Sequence, residues 1–212
     1  MKYLQTLLAT LLLAAVTSQA AIFSSSGVNN NIGILDGNPA GISSSINVNG
    51  LLWSTTDVNV TINVTGGYNG DLYAYLSYNG TRVDLVNRVG TSSGDAIQTT
   101  WGFSAAGFSN ITLDDAAIAN GSIHGVSTPL ASTSYTPDGG SLNSFNTMNP
   151  NGAWTLFISD MAGGGGASSS TLVGWSLDVT AVPEPTHVAL GIFGVVFAGV
   201  AVGRRLRARA QA

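Results

Sequence analysis

Apolar and polar residues alternate strictly through much of the middle of this 212-residue chain, and this period of two constrains the fold more than any other feature. Val58, Val60, Ile62 and Val64 fall on one face, with Asp57, Asn59, Thr61 and Asn63 on the other. Leu72, Ala74 and Leu76 alternate with Tyr73, Tyr75 and Ser77, and Val83 and Leu85 with Arg82 and Asp84. Trp154, Leu156 and Ile158 repeat the pattern, as do Trp175, Leu177 and Val179. A shorter strand is expected at Ile111 to Leu113. Turn chemistry separates these runs: Gly66-Gly67-Tyr68-Asn69-Gly70, and Asn79-Gly80, a strong hairpin signal. Gly163 to Gly166 and Ser168 to Ser170 read as a flexible connection, and 118–141 as an irregular stretch pinned to the core by Leu142 and Phe145. No stretch of this middle region carries a helical period. The pattern predicts an all-β domain, a β-sandwich or jelly roll, over about residues 21–182.

Charge narrows the partners. Only 8% of residues are charged, against the usual quarter. Lys2 and the arginines at 204, 205, 207 and 209 sit at the ends, so the middle keeps Arg82 and Arg88 against a set of Asp residues. With no basic stripe, nucleic-acid binding is not expected. There is no Cys, which excludes disulfides and thiol catalysis.

The ends read as sorting signals. Lys2, an apolar stretch from Leu7 to Val16, and Ser18-Gln19-Ala20 form a signal peptide over 1–20, with signal peptidase expected to cut before Ala21. The alternative is an uncleaved anchor helix. At the other end, 183–212 follows a fixed order: Val182-Pro183-Glu184-Pro185, an apolar run from Val188 to Val202, then Arg204-Arg205-Leu206-Arg207-Ala208-Arg209. The run is expected to be a transmembrane sorting helix at the short end of the usual length, with the arginines on the cytoplasmic side. The tail resembles the PEP-CTERM sorting signal of Gram-negative bacteria, although Thr186-His187 follows the motif where Ser-Thr or Ala-Thr is commoner. The resemblance implies transient insertion in the inner membrane, processing by exosortase, release to the cell surface or medium, and an association with exopolysaccharide and biofilm. A plain single-span anchor is the alternative.

A second resemblance covers most of the middle. Gly70-Asp71-Leu72, Asn79-Gly80-Thr81, Gly152, Trp154-Thr155-Leu156, Asp160 and Trp175-Ser176-Leu177 occur in the order found in the P domain (Homo B domain) of subtilisin-like proprotein convertases. Residues 63–90 and 150–180 match well and 91–149 less so; Gly66-Gly67 stands where the family often has a His-containing turn. The resemblance implies a jelly-roll sandwich that, in convertases, packs beside a protease and supports its folding.

The candidate chemistry is sparse. His124 is the one His of the middle region, too few for a zinc site and without an evident nucleophile. Asp71, Asp114, Asp115 and Asp160 each fall at a strand end or turn, where carboxylates and carbonyls suit calcium; turn capping is the competing reading. A glycosidase pair would have to be built from Asp alone. Trp53, Trp101, Trp154 and Trp175 could stack on sugars, but Trp154 and Trp175 lie in phase with core aliphatics. Tyr73, Tyr75 and Tyr78 form either an exposed binding row or a face covered by a second sheet. Five Asn-X-Ser/Thr strings, at Asn59, Asn63, Asn79, Asn110 and Asn120, read as strand and turn composition rather than glycosylation sites.

Taken together, the chain is expected to be an exported, non-catalytic surface or matrix protein that binds or scaffolds extracellular polysaccharide. The alternative is an accessory or folding module for a separate secreted subtilisin-like protease, or a hydrolase. A subunit that self-associates through sheet edges is a third reading.

Overall fold

The computed structural model describes residues 20–25, 28–51, 54–91, 102–129, 131–163, 169–182 and 185–210. The expected signal peptide, up to Gln19, lies outside the described residues, as do Trp53, Trp101, Pro183 and Glu184.

Among the described residues the strands are β1 (Ala21–Ser24), β2 (Val28–Ile34), β3 (Ile42–Val48), β4 (Ser54–Thr65), β5 (Leu72–Tyr78), β6 (Thr81–Asn87), β7 (Phe108–Leu113), β8 (Ser134–Tyr135), β9 (Gly152–Asp160) and β10 (Ser170–Val182). A helix, α1, runs Pro185–Ala210. One sheet has the order β1-β10-β4-β7-β8, with β2 also on β10, and the other β3-β9-β5-β6. The expected β-sandwich is therefore what forms.

Its connectivity follows a simple rule. β5 pairs with β6, β4 with β7, β3 with β9 and β2 with β10, all antiparallel. The chain is one long ribbon, rolled so that successive pairs change sheet. Its closed end is the turn at Asn79-Gly80, where φ is +47° and +80°, the left-handed pair that a two-residue hairpin needs. Its open end carries β1, which pairs with the final part of β10.

The alternation does what the sequence implies. Val58, Val60, Ile62, Leu72, Leu76, Leu85, Leu156 and Leu177 are buried between the sheets. Trp154 and Trp175 join that core rather than a sugar platform, and each indole N–H is satisfied, on Pro150 O at 2.8 Å and Ser44 Oγ at 2.9 Å. Leu142 and Phe145 are buried in a 3-10 turn and pin the irregular stretch as expected.

Two expectations need correction. The strand expected at Ile111–Leu113 begins earlier, at Phe108, because Phe108 also packs inward opposite Val64. The second concerns the tail. The apolar run is helical, but among the described residues no helix is long and apolar enough to cross a membrane. The run from Val188 to Val202 spans roughly 22 Å at 1.5 Å per residue, against about 30 Å of hydrocarbon. The arginines from Arg204 onward fill the last turns, while Leu190, Phe193 and Phe197 stand exposed.

Candidate functional site

The structure divides the four expected calcium ligands between two places. Asp71 closes the 3-10 turn Asn69–Asp71 that leads into β5, and Asp160 ends β9. The register pairs Leu72 with Asp160, which brings the two carboxylates into one charge field with Asp36 and Arg88. Both are almost wholly buried. Asp160 accepts from the backbone N–H of Gly37 (3.3 Å) and Ala162 (3.2 Å). Burial first, then the negative charge of Asp160, pushes the Asp71 carboxyl up to about 6, with Arg88 opposing and Asp36 adding. Asp160 is raised too, chiefly by burial, with its two backbone donors holding it down.

The surroundings of this pair are unusually short of partners. Both side-chain amide atoms of Asn69, and Nε of Arg88, are buried without a hydrogen-bond partner among the described residues. Arg88 also sits at φ +49°. The Asn69 turn is held by its backbone: Asn69 N–H donates to Ala105 O (2.8 Å) and Gly70 N–H to Phe103 O (2.9 Å). Gly70 and Gly102 meet backbone to backbone, so a Cβ at either would collide. Among the described residues no group of three or more His, Cys, Asp or Glu side chains could hold a metal ion.

Asp114 and Asp115 lie elsewhere, after β7, and their electrostatic neighbour is Asp57. Asp115 is occupied by protein donors: Ser141 Oγ at 2.5 Å, Leu142 N–H at 3.2 Å and Asn143 N–H at 2.8 Å. It thus caps the 3-10 turn that carries Leu142 and Phe145. Asp114 accepts from Ala116 N–H at 2.7 Å, an Asx turn. Burial, then Asp114, raises the Asp57 carboxyl, against a hydrogen bond from Asn59 Nδ2 at 2.9 Å. Removing the cap has a definite expected cost. Asp115→Ala strands the Leu142 N–H and the Ser141 hydroxyl, while Asn143 N–H keeps Ser141 Oγ at 3.2 Å, and should lose about 1–3 kcal/mol in urea denaturation. An unchanged midpoint would show that the turn needs no cap.

His124 is also committed. Nδ1 meets Asp138 Oδ2 at 2.9 Å and Nε2 meets Thr91 O at 2.7 Å. A carbonyl can only accept, so Nε2–H donates to it, and the ring bonds both partners fully only as imidazolium. Burial lowers the His124 pKa, but the Asp138 bond, the Thr91 carbonyl and the Asp138 charge together raise it. Asp138 in turn accepts from Asn87 N–H at 2.8 Å. The imidazole is a staple between three segments, with no nitrogen left to act as a base.

The outward face of the β3-β9-β5-β6 sheet carries the aromatic row. Tyr75 stacks on Phe157 (4.8 Å, 16°), Tyr73 meets both rings, and Arg82 lies 4.8 Å over Tyr75. Tyr73 O–H donates to Asp84 at 2.8 Å, and Arg82 pairs with Asp84 at 3.2 Å. Burial, then that hydrogen bond, pushes the Tyr73 hydroxyl up to about 12. Tyr73, Tyr75 and Phe157 are half-buried, beside exposed Ser43 and Ser45. Tyr78 differs: it is buried against Trp154 at the sheet's end and bonds Asn149 O and Asn151 O.

Of the tail motif, Val182 is the last residue of β10 and Pro185 the first of α1. The sequence marked Asn69 only as a turn residue and Arg88 only as one of two cations in the middle region, and it did not single out Asp36 or Asp138. The turn composition of Pro137-Asp138-Gly139 was the available signal for Asp138.

No family model matches the chain. No curated protein matches it either. Among solved structures it is similar to a chain in the crystal structure of the Aeromonas sobria serine protease with its chaperone (ORF2), at 17% identity and a TM-score of 0.43, over 83% of this chain and 30% of that one. It is likewise similar to the serine protease of Aeromonas sobria alone, at 18% identity and a TM-score of 0.43, over 82% and 29%. The chain thus spans less than a third of the length of these proteins.

Proposed function

We propose that this chain is an exported, non-catalytic surface or extracellular-matrix protein, with a jelly-roll sandwich that binds or scaffolds exopolysaccharide. Signal peptidase and exosortase are the processing enzymes in this reading. In this reading the chain pauses at the inner membrane for processing, then passes to the cell surface or the medium. The observation that carries the non-catalytic part is the state of His124: both ring nitrogens are already bonded, one to a backbone carbonyl. The aromatic row of Tyr73, Tyr75 and Phe157, bordered by Ser43 and Ser45, is the face offered to a glycan. A bound calcium falls to Asp71 and Asp160, which the β5–β9 register brings together, rather than to Asp114 and Asp115, because both oxygens of Asp115 already hold the Ser141–Asn143 turn.

Two measurements test this. Intact-mass analysis of protein from the native host should show a start at Ala21 and loss of Val188–Ala212; recovery of the full-length chain from the medium sinks the sorting reading. In affinity electrophoresis against the host's own exopolysaccharide, the protein should be retarded, and Tyr75→Ala should lose most of the retardation. No retardation, with co-purification of a secreted subtilisin-like protease, would make it an accessory module instead.

A further inference from the structure

We infer that β1 is a strap whose docking closes the last strand of the sandwich to peptidases. β10 is paired along one edge by β4 as far as Val182. Its other edge is covered in two pieces. β2 covers Ser170–Trp175, and the stretch from Asp178 to Ala181 is covered by β1. The strap is short, and its hold on the core is slight: Phe23 packs against the core, Ile22 is 66% exposed, and Ser25 N–H donates to Leu177 O at 3.0 Å.

That last bond fixes the phase of the whole ladder. Ser25 and Leu177 form a hydrogen-bonded pair, and in an antiparallel ladder such pairs alternate with non-bonded ones. Phe23 therefore exchanges bonds with Val179, and Ala21 with Ala181. Ile22, opposite Thr180, points its N–H away from the sheet. Asp178 and Thr180 direct their own N–H groups to β4, opposite Asn59 and Asp57. With β1 docked, both edges of this stretch are satisfied, and a peptidase, which binds its substrate as an extended strand, finds no free edge. With β1 displaced, Leu177 to Ala181 present an open edge. If the leader is removed before Ala21, as the export reading holds, the strap begins at the new N-terminus, opposite the strand that leads into the tail.

The test uses the full chain in detergent micelles, with amide exchange followed residue by residue. Phe23→Pro removes a donor to Val179; Ile22→Pro removes an N–H that bonds nothing. In Phe23→Pro the Val179 amide should exchange about tenfold faster or more, while Asp178 and Leu156 keep their protection. A broad-specificity protease should then cut between Leu177 and Val182. Ile22→Pro should match the wild type in both readouts. The inference is overturned if Phe23→Pro leaves Val179 protected, if Ile22→Pro opens the strand equally, or if Leu156 loses protection together with Val179. None of these outcomes depends on leader removal, which the mass analysis judges separately.

Discussion

Trp154→Ala is expected to cost about 3–5 kcal/mol, the range for deleting a buried Trp. The side chain is fully buried where the two sheets meet the 3-10 turn at Leu142–Phe145. Its ring lies 4.0 Å from that of Tyr78 at 3°, and 5.0 Å from Phe145 edge-on. The indole N–H also holds Pro150 O. The change leaves a cavity, an acceptor without its donor, and a Tyr78 ring without its stacking partner. Domains of this size have about 5–15 kcal/mol in total, so the change removes about a fifth of the stability or more. Trp154→Phe should recover part of the loss by filling the space without the hydrogen bond. Urea titration followed by circular dichroism gives both values. A loss under about 1 kcal/mol for the Ala variant would mean that the core closes over the site.

The second large effect is on pH. Asp71 is raised to about 6 from 3.8, so between these values the folded state holds more protons than the unfolded one. Stability therefore falls as pH rises through this window and is level above it. A shift of two units corresponds to about 3 kcal/mol at most. His124 acts in the same direction. Its raised folded pKa contributes stability that is fully present below the unfolded value near 6.5 and is lost as pH rises through the folded value. The raised Asp57 and Asp160 add to the slope at its acid end. The metal-free protein should thus melt higher at pH 5 than at pH 7.5. Asp71→Asn should flatten the slope between pH 4 and 6, and raise stability at pH 7.5. Millimolar calcium should act mainly above pH 6 in the wild type and little in Asp71→Asn. A wild-type melting point that climbs from pH 5 to 7.5 in chelator would refute the buried-acid account.

These features differ in how far the sequence announces them. β4, β5, β6, β9 and β10 are legible because long stretches of each alternate, with mostly Val, Ile, Leu, Ala or Trp at the inward positions. β3 is not: Ile42-Ser43-Ser44-Ser45-Ile46 places Ser44 inward, where the distant indole of Trp175 donates to its hydroxyl. β1 is four residues long, too short for a period to show. The acidic site has the same character. Asp114 and Asp115 are adjacent in sequence and look like a ligand pair, yet backbone donors use both, a local one at Ala116 for Asp114 and the distant Leu142 and Asn143 for Asp115. Asp71 and Asp160 come together only through the β5–β9 register, and Arg88 reaches them from the end of β6. Likewise, the irregular stretch puts His124 and Asp138 on separate turns, so their bond is visible only in three dimensions.

The rolled-ribbon connectivity sets a timetable for a chain that emerges N-terminus first, from a ribosome or a translocation pore. Only β5 and β6 find each other at once. β4 waits for β7, β3 for β9, and β1 and β2 for β10. Such distant pairings make folding slow, in the millisecond-to-second range for β-sandwiches. Throughout that interval the strands nearest the N-terminus have open edges with few charges to deter a neighbouring chain. β10 is the partner of β1, β2 and β4 together. A chain stopped before Ser170 therefore leaves β1 and β2 unmatched and β4 paired on one side alone, with β7, and the sandwich is completed only when its final strand arrives.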